Sequence, residues 1–225
     1  MKAKNLTFKL NGVIVNFQFK TSNVKTGQLI QNYFIPTEWI ESKEKIGLLS
    51  DSKICFDCTH GQSKDKTCYV RKDQSAMGLA SKVRSMRKIG LDNIPEFSPE
   101  IEADLLSAIE GKGIRFGSYG EPILLGENLI AKITKRAKFW TGYTHQWHKN
   151  AWAKDYFMAS VESAIISDVA QKSGFRTFFV GQSNDPKKYV TCPASKEAGN
   201  KATCEQCKLC MGTQSKAKSV TILPH

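Results

Sequence analysis

Residues 6 to 19, LTFKLNGVIVNFQF, alternate apolar and polar side chains on either side of Asn11-Gly12. Period two is the spacing of a strand with one buried face, and Asn-Gly supplies the two positive-φ positions of a tight turn, so a β-hairpin is expected to open the chain. The stretch SNVKTGQLIQNYFIPTEWI predicts a turn at Lys25-Thr26-Gly27, then a strand over Leu29 to Ile35 that Pro36 stops. Residues 51 to 75 lack an apolar period and are rich in Cys, Lys, Asp and Gly, which predicts a loop of the kind that carries sites.

Helical spacing takes over between Ser75 and Gly90, where Met77, Leu79, Ala80, Val83 and Met86 recur on one face and Gly90 makes a stop. A second helix is expected from Ser98-Pro99 to about Glu110, with Ser98 as cap and Pro99 at the first helical position. GIRFGSYGEPILLG begins as a β-prone run and ends in a glycine-bordered loop, 126–137 reads as helix, and KFWTGYTH reads as a strand ending in polar residues. A helix or irregular segment through Asn150 to Tyr156 leads to FMASVES, followed by a helix over 164–173 and a strand in GFRTFFVG. Strands alternating with helices predict an α/β core with a mainly parallel sheet.

At 225 residues the chain is long enough for one substantial core, read as a hairpin and strand extension over 1–45, a core over 46–190 and a cysteine-rich segment over 191–225. Hydrophobic residues at 40% and charged residues at 24% are those of a chain that folds. The formal charge of +12 allows two readings: a surface that attracts nucleic acid or a nucleotide substrate, or a generally basic, solvated one. Polar residues interrupt every apolar run at the N-terminus and no run reaches eighteen residues, so a cytoplasmic protein with no membrane partner is expected; the oligomeric state is not legible.

That compartment changes how the seven cysteines are read, because a reducing cytosol favours metal ligands over disulfides. Cys192, which precedes Pro193, is separated by eleven residues from Cys204, and Cys207 and Cys210 follow in C-x2-C-x2-C spacing. Zinc usually draws thiolates as two separated pairs, whereas a packed triplet with a remote Cys-Pro resembles a ferredoxin run, although here the remote cysteine lies upstream. Iron–sulfur cluster, structural zinc and free thiols all remain open. Cys55, Cys58 and Cys68 form a second group: three thiolates on a four-iron cluster leave one iron open, while His60 would close a zinc shell.

TGYTHQWHKNAW brings Tyr143, His145, Trp147, His148 and Trp152 together after a strand. His145 at the strand end is a candidate proton carrier, His148 reads as structural, and the aromatics beside Lys149 could stack on a base. Arg115 and Arg176 are candidate anion clamps in catalysis or structural ion-pair partners. Three templates fail: there is no phosphate loop ending in GK[ST], no G-x-G-x-x-G and no G-x-S-x-G elbow, which argues against an ATPase, a classical dehydrogenase and a serine hydrolase.

A strand, a cysteine-rich loop ending in Cys68-Tyr69, a helix, and then Tyr119-Gly120-Glu121-Pro122 resemble the radical S-adenosylmethionine (SAM) superfamily. The resemblance implies a partial (β/α) barrel, a 4Fe-4S cluster on Cys55, Cys58 and Cys68 whose open iron takes SAM, and contacts to the SAM amine from the Tyr119–Pro122 segment. It also implies polar contacts from Glu162 and Ser163, and a second, closed cluster on Cys192, Cys204, Cys207 and Cys210. The spacing departs from it, since the family's C-x3-C-x2-C is replaced by C-x2-C, nine residues and Cys68. YGEP, TGYTHQW and CPAS with the cysteine triplet are also similar to a family of small tailed-phage proteins, which implies a host-cytosol setting. A zinc-stapled nucleic-acid-binding protein is the alternative from another class, and an enzyme acting on nucleic acid or modified nucleotides would join the two.

Overall fold

The computed structural model describes residues 5–21, 23–61, 68, 70, 72, 78–183 and 185–223. The expected hairpin is present: β1 (Leu6–Leu10) and β2 (Val13–Gln18) pair antiparallel from Leu6↔Phe17 to Leu10↔Val13. Asn11 and Gly12 turn the chain with φ of 49° and 74°. β2 also pairs antiparallel with β3 (Ile30–Pro36), which is parallel to β4 (Gly113–Tyr119), itself parallel to β5 (Phe139–Thr141). These strands make a mixed sheet in the order β1-β2-β3-β4-β5.

A second sheet is wholly parallel and contains β6 (Tyr143–Thr144), β7 (Met158–Val161), β8 (Thr177–Val180), β9 (Tyr189–Thr191) and β10 (Ser219–Ile222), in the order β6-β7-β8-β10-β9. The chain passes from one sheet to the other at Gly142. A Cβ there would stand 2.6 Å from the Phe157 ring and 3.2 Å from Phe116, so a side chain would have to displace the core at this bend. The strand expected through KFWTGYTH is therefore two short strands, one in each sheet. Neither sheet closes on itself, and the fold is α/β with one mixed and one parallel open sheet.

The helices are α1 (Glu38–Glu41), α2 (Ser52–Cys55), α3 (Leu79–Ile89), α4 (Pro99–Ile109), α5 (Glu127–Arg136), α6 (Ala164–Lys172) and α7 (Cys204–Cys207). α3 buries Leu79, Ala80, Val83 and Met86 and ends at Gly90, whose φ of 83° stops it; the expected start at Ser75 to Met77 lies outside the described residues. Ser98 Oγ accepts from Ile101 N at 3.4 Å and Pro99 opens α4, as the sequence requires. The segment from Asn150 to Tyr156 is a 3-10 turn over Ala151–Asp155.

Two apolar groups hold the layers together. The larger buries Trp39, Phe8, Phe17, Phe34, Phe116 and Phe157, each ring contributing about 2–3 kcal/mol relative to exposure. The smaller collects Leu29, Phe139, Met158, Val220 and Ile222 around Cys192, Cys204 and Cys210. β10 lies between β8 and β9, so residues near the C-terminus are built into the parallel sheet.

Candidate metal centres at the strand ends

β3 and β4 are parallel neighbours in the first sheet and β6 and β7 in the second, and each is followed by residues singled out in the sequence: the Cys55–Cys68 loop, Glu121, His145 and Glu162. Carboxyl ends of parallel strands are where α/β folds gather ligand sites, because the connecting loops converge there.

The first thiol group is folded by backbone. Cys55 ends α2, Cys58 N donates to Cys55 O at 2.9 Å, and Cys68 N donates to His60 O at 2.9 Å, which returns the loop to its start. Glu121 N donates to Ile54 O at 2.8 Å and binds the YGEP segment to the same turn. Gly120 makes that approach possible: its φ is 83°, and a Cβ would lie 2.9 Å from Phe34 Cβ. Burial first, and then the charges of Asp51, Cys58 and Cys68, push the Cys55 thiol far up. Burial likewise raises Cys68, against a backbone hydrogen bond from Val70 that favours its thiolate. Cys55, Cys58 and Cys68 thus feel one another's charge, and none of the seven cysteines is in a disulfide.

Asp57, between two of these cysteines, locks the loop onto the turn after β6. Its Oδ1 accepts from Gln146 Nε2, and its Oδ2 lies 2.9 Å from Lys149 Nζ and 3.6 Å from His148 Nε2. The Gln146 hydrogen bond is the main cause that takes the Asp57 carboxyl down to about 2, with Lys149 adding to it. His148 is exposed and its ion-pair contact is with Asp57, with which Lys149 also pairs. Trp147 packs edge-on against Phe175 at 6.1 Å and Trp152 against Tyr156 at 6.2 Å, so these aromatics pack within the fold.

Beside the thiols stands a chain of carboxylates and imidazoles. Glu121 is 4% exposed; its Oε2 accepts from Thr144 Oγ1 at 2.6 Å, while Oε1 accepts from His145 N at 3.0 Å and lies 3.1 Å from His145 Nδ1. His145 Nε2 is 3.3 Å from Glu162 Oε1 and 3.5 Å from Cys58 Sγ. His60 Nε2 is also 3.3 Å from Glu162 Oε1. Burial pulls the His145 pKa down, but Cys58, Glu121 and Glu162 outweigh it and hold the ring well above its ordinary value. Burial would raise Glu162; the two imidazoles instead bring it to about 2.

The C-terminal thiols meet around one small cavity lined by Cys192, Cys204, Cys207 and Cys210 with Thr141, Tyr143 and Pro193. A capping box between Thr203 and Gln206 starts α7, Cys204 N donates to Lys25 O at 2.9 Å, and Gly142 N donates to Cys210 O at 3.1 Å. Burial, then Cys192 and Cys204, push Cys210 up to about 12. Burial also raises Cys192 and Cys207, each opposed by a backbone hydrogen bond from the residue two further on, Ala194 and Leu209. Such bonds to sulfur favour the thiolate form.

Four thiols around one cavity are a donor set that either a structural zinc ion or an iron–sulfur cluster accepts.

The other candidates divide. Arg176 donates to four backbone carbonyls, Nε to Ala217 at 2.7 Å, Nη1 to Leu209 at 2.6 Å and Gly212 at 3.0 Å, and Nη2 to Lys218 at 2.5 Å, so it clamps the segment after Cys210. Arg115 is buried with its guanidinium carbon 5.8 Å from the Tyr143 ring, on the side of the C-terminal thiols and away from His145. Tyr119 reaches Asp51 Oδ2 at 3.4 Å, and Pro122 opens a 3-10 turn. Ser163 Oγ caps α6 by accepting from Ile166 N at 3.2 Å. The grouping of His60 with His145 and Glu162 was not legible, because 84 and 16 residues separate His60 from His145 (145 − 61) and His145 from Glu162 (162 − 146). Comparison of the chain with protein-family models, curated proteins and solved structures finds no match.

Proposed function

We propose that the chain is an iron–sulfur protein on a partial (β/α) barrel, resembling radical SAM enzymes. Cys192, Cys204, Cys207 and Cys210 hold a closed cluster, while Cys55, Cys58 and Cys68 hold one with an open iron at the strand ends. The observation that carries the reading is the division of all seven cysteines into two electrostatically coupled groups, one of them lining a single cavity. The thiols fit iron: Cys192, Cys204 and Cys210 are buried and the other four partly so, and Cys68, Cys192 and Cys207 receive backbone hydrogen bonds.

SAM fits less well. The resemblance gives Glu121 to the SAM amine, but both its carboxylate oxygens accept from Thr144 and His145. Glu121 is instead a positioning residue for His145, and no step is drawn through SAM. A nucleotide or nucleic-acid substrate is supported by a cavity of about 580 Å³ beside the C-terminal thiols, bordered by Lys25, Lys196, Lys201, Asn200 and Gln206.

Anaerobic purification with iron, sulfide and zinc analysis tests the reading. About eight irons and eight sulfides per chain are expected, falling by about half in Cys55→Ser and in Cys204→Ser. A change in the reduced cluster's electron paramagnetic resonance (EPR) spectrum on adding SAM would restore SAM to the site. Stoichiometric zinc without sulfide overturns the proposal in favour of a zinc-stapled nucleic-acid-binding protein.

A further inference from the structure

We propose that His60, His145 and Glu162 form a binding site for a single first-row divalent metal ion, adjoining Cys58 of the first cysteine group. Among the described residues these three alone place His, Cys, Asp or Glu ligand atoms mutually within 4.8 Å. Glu162 Oε1 is 3.3 Å from Nε2 of each ring. Donors bonded at about 2.1 Å and 90–110° apart stand about 3.0–3.4 Å from one another, so the two separations from Glu162 are those of ligands around one ion, and the two rings lie within 4.8 Å of each other at their ligand atoms.

Orientation supports the same assignment. Glu162 Oε1 is buried and faces Nε2 of both imidazoles at 3.3 Å, so one carboxylate oxygen and two ring nitrogens converge. On the far side of His145, Glu121 Oε1 lies 3.1 Å from Nδ1, so that with a metal on Nε2 the remaining ring proton would sit on Nδ1 against a carboxylate. Thr144 in turn fixes Glu121 Oε2. A carboxylate behind a ligating histidine is the outer support metal sites use to fix tautomer and ring angle.

Two imidazoles and one carboxylate leave coordination positions vacant, as in sites where a metal polarises a bound oxygen. The His60, His145 and Glu162 side chains are 22%, 22% and 28% exposed, so the site is reachable by a small oxygen-bearing ligand from the strand-end side.

Manganese(II) is the probe, because thiolates bind it poorly while imidazole and carboxylate accept it. The full chain, chelator-treated and anaerobic, is titrated with Mn(II) while EPR follows the free ion. About one Mn(II) per chain is expected, with affinity at least about tenfold lower in Glu162→Gln and in His60→Asn. Glu121→Gln should weaken it about tenfold without removing any ligand, and Cys204→Ser should bind as the wild type does. Circular dichroism shows which variants fold, and the Glu121→Gln result stands if a ligand variant does not. No bound manganese, or binding unchanged in Glu162→Gln, overturns the site. Iron and sulfide assayed on the unchelated protein keep the two proposals apart: cluster without manganese binding sinks this site alone, and manganese binding without cluster sinks the iron–sulfur reading alone.

Discussion

Glu121 Oε1 accepts from the backbone nitrogen of His145 at 3.0 Å and lies 3.1 Å from its ring Nδ1, so a single carboxylate oxygen fixes both the main chain and the imidazole at the end of β6. The second oxygen is held by Thr144, one residue earlier. A carboxylate 4% exposed survives in the core only because every lone pair facing protein finds a donor.

Thr144→Val keeps the shape of the side chain and removes that donor. Leaving Glu121 Oε2 buried without it should cost about 1–3 kcal/mol in denaturant unfolding of the metal-free protein. A loss under about 0.5 kcal/mol would show that water reaches the carboxylate.

Arg176→Met strips donors from the carbonyls of Leu209, Gly212, Ala217 and Lys218. The expected cost is about 3 kcal/mol, with the segment after Cys210 loosened and iron retention by the C-terminal thiols reduced. Arg176→Lys should recover little, because one ammonium cannot span four carbonyls. Activity lost with stability intact would return Arg176 to a catalytic role.

At Gly120, alanine meets both a φ of 83° and Phe34 Cβ at 2.9 Å. Gly120→Ala should lower stability by about 2 kcal/mol or more, read as a lower unfolding midpoint, and should displace the Cys55 turn that Glu121 N holds. Gly126→Ala is the contrast, with φ of 76° and nothing within 4 Å of an added Cβ; its cost should be nearer about 1 kcal/mol.

Lys82 on α3 supplies a pH prediction away from the metal centres. Its Nζ donates to Gln18 Oε1 at 2.6 Å and lies 4.4 Å from the Tyr33 ring centre, and burial brings its pKa from 10.5 to about 8. Because the folded value is the lower one, the charge costs stability fully below pH 8, and that cost is relieved as pH rises from about 8 to 10.5. The shift corresponds to about 3 kcal/mol, reduced by residual solvent contact to about 1 kcal/mol. Lys82→Met should therefore raise stability at pH 7 by about 1 kcal/mol and flatten the pH profile above 8; an unchanged profile would refute the assignment.

Local signals carried much of the secondary structure. Asn11-Gly12 placed the hairpin because only two positive-φ residues reverse a chain so tightly, and Ser98-Pro99 placed α4 because a cap and a fixed φ act within one turn. KFWTGYTH was legible as extended chain, but not as two strands in different sheets, since the bend at Gly142 answers to Phe157 and Phe116 elsewhere. α2 was hidden in a stretch read as loop, being a single turn held by its own backbone. β10 left no pattern because its four residues are enclosed between β8 and β9.

Residue chemistry, spacing and local turn propensity, all properties of neighbours in the chain, determined the sequence-level result: an α/β protein opened by a hairpin, with cysteines in two groups and polar residues at strand ends. Tertiary structure decided what each polar group does. Glu121 turned to His145, Arg176 to the carbonyls of the C-terminal segment, and His60 toward Glu162, because the burial that makes an unpaired charge costly selects partners by position in space, which local sequence does not encode.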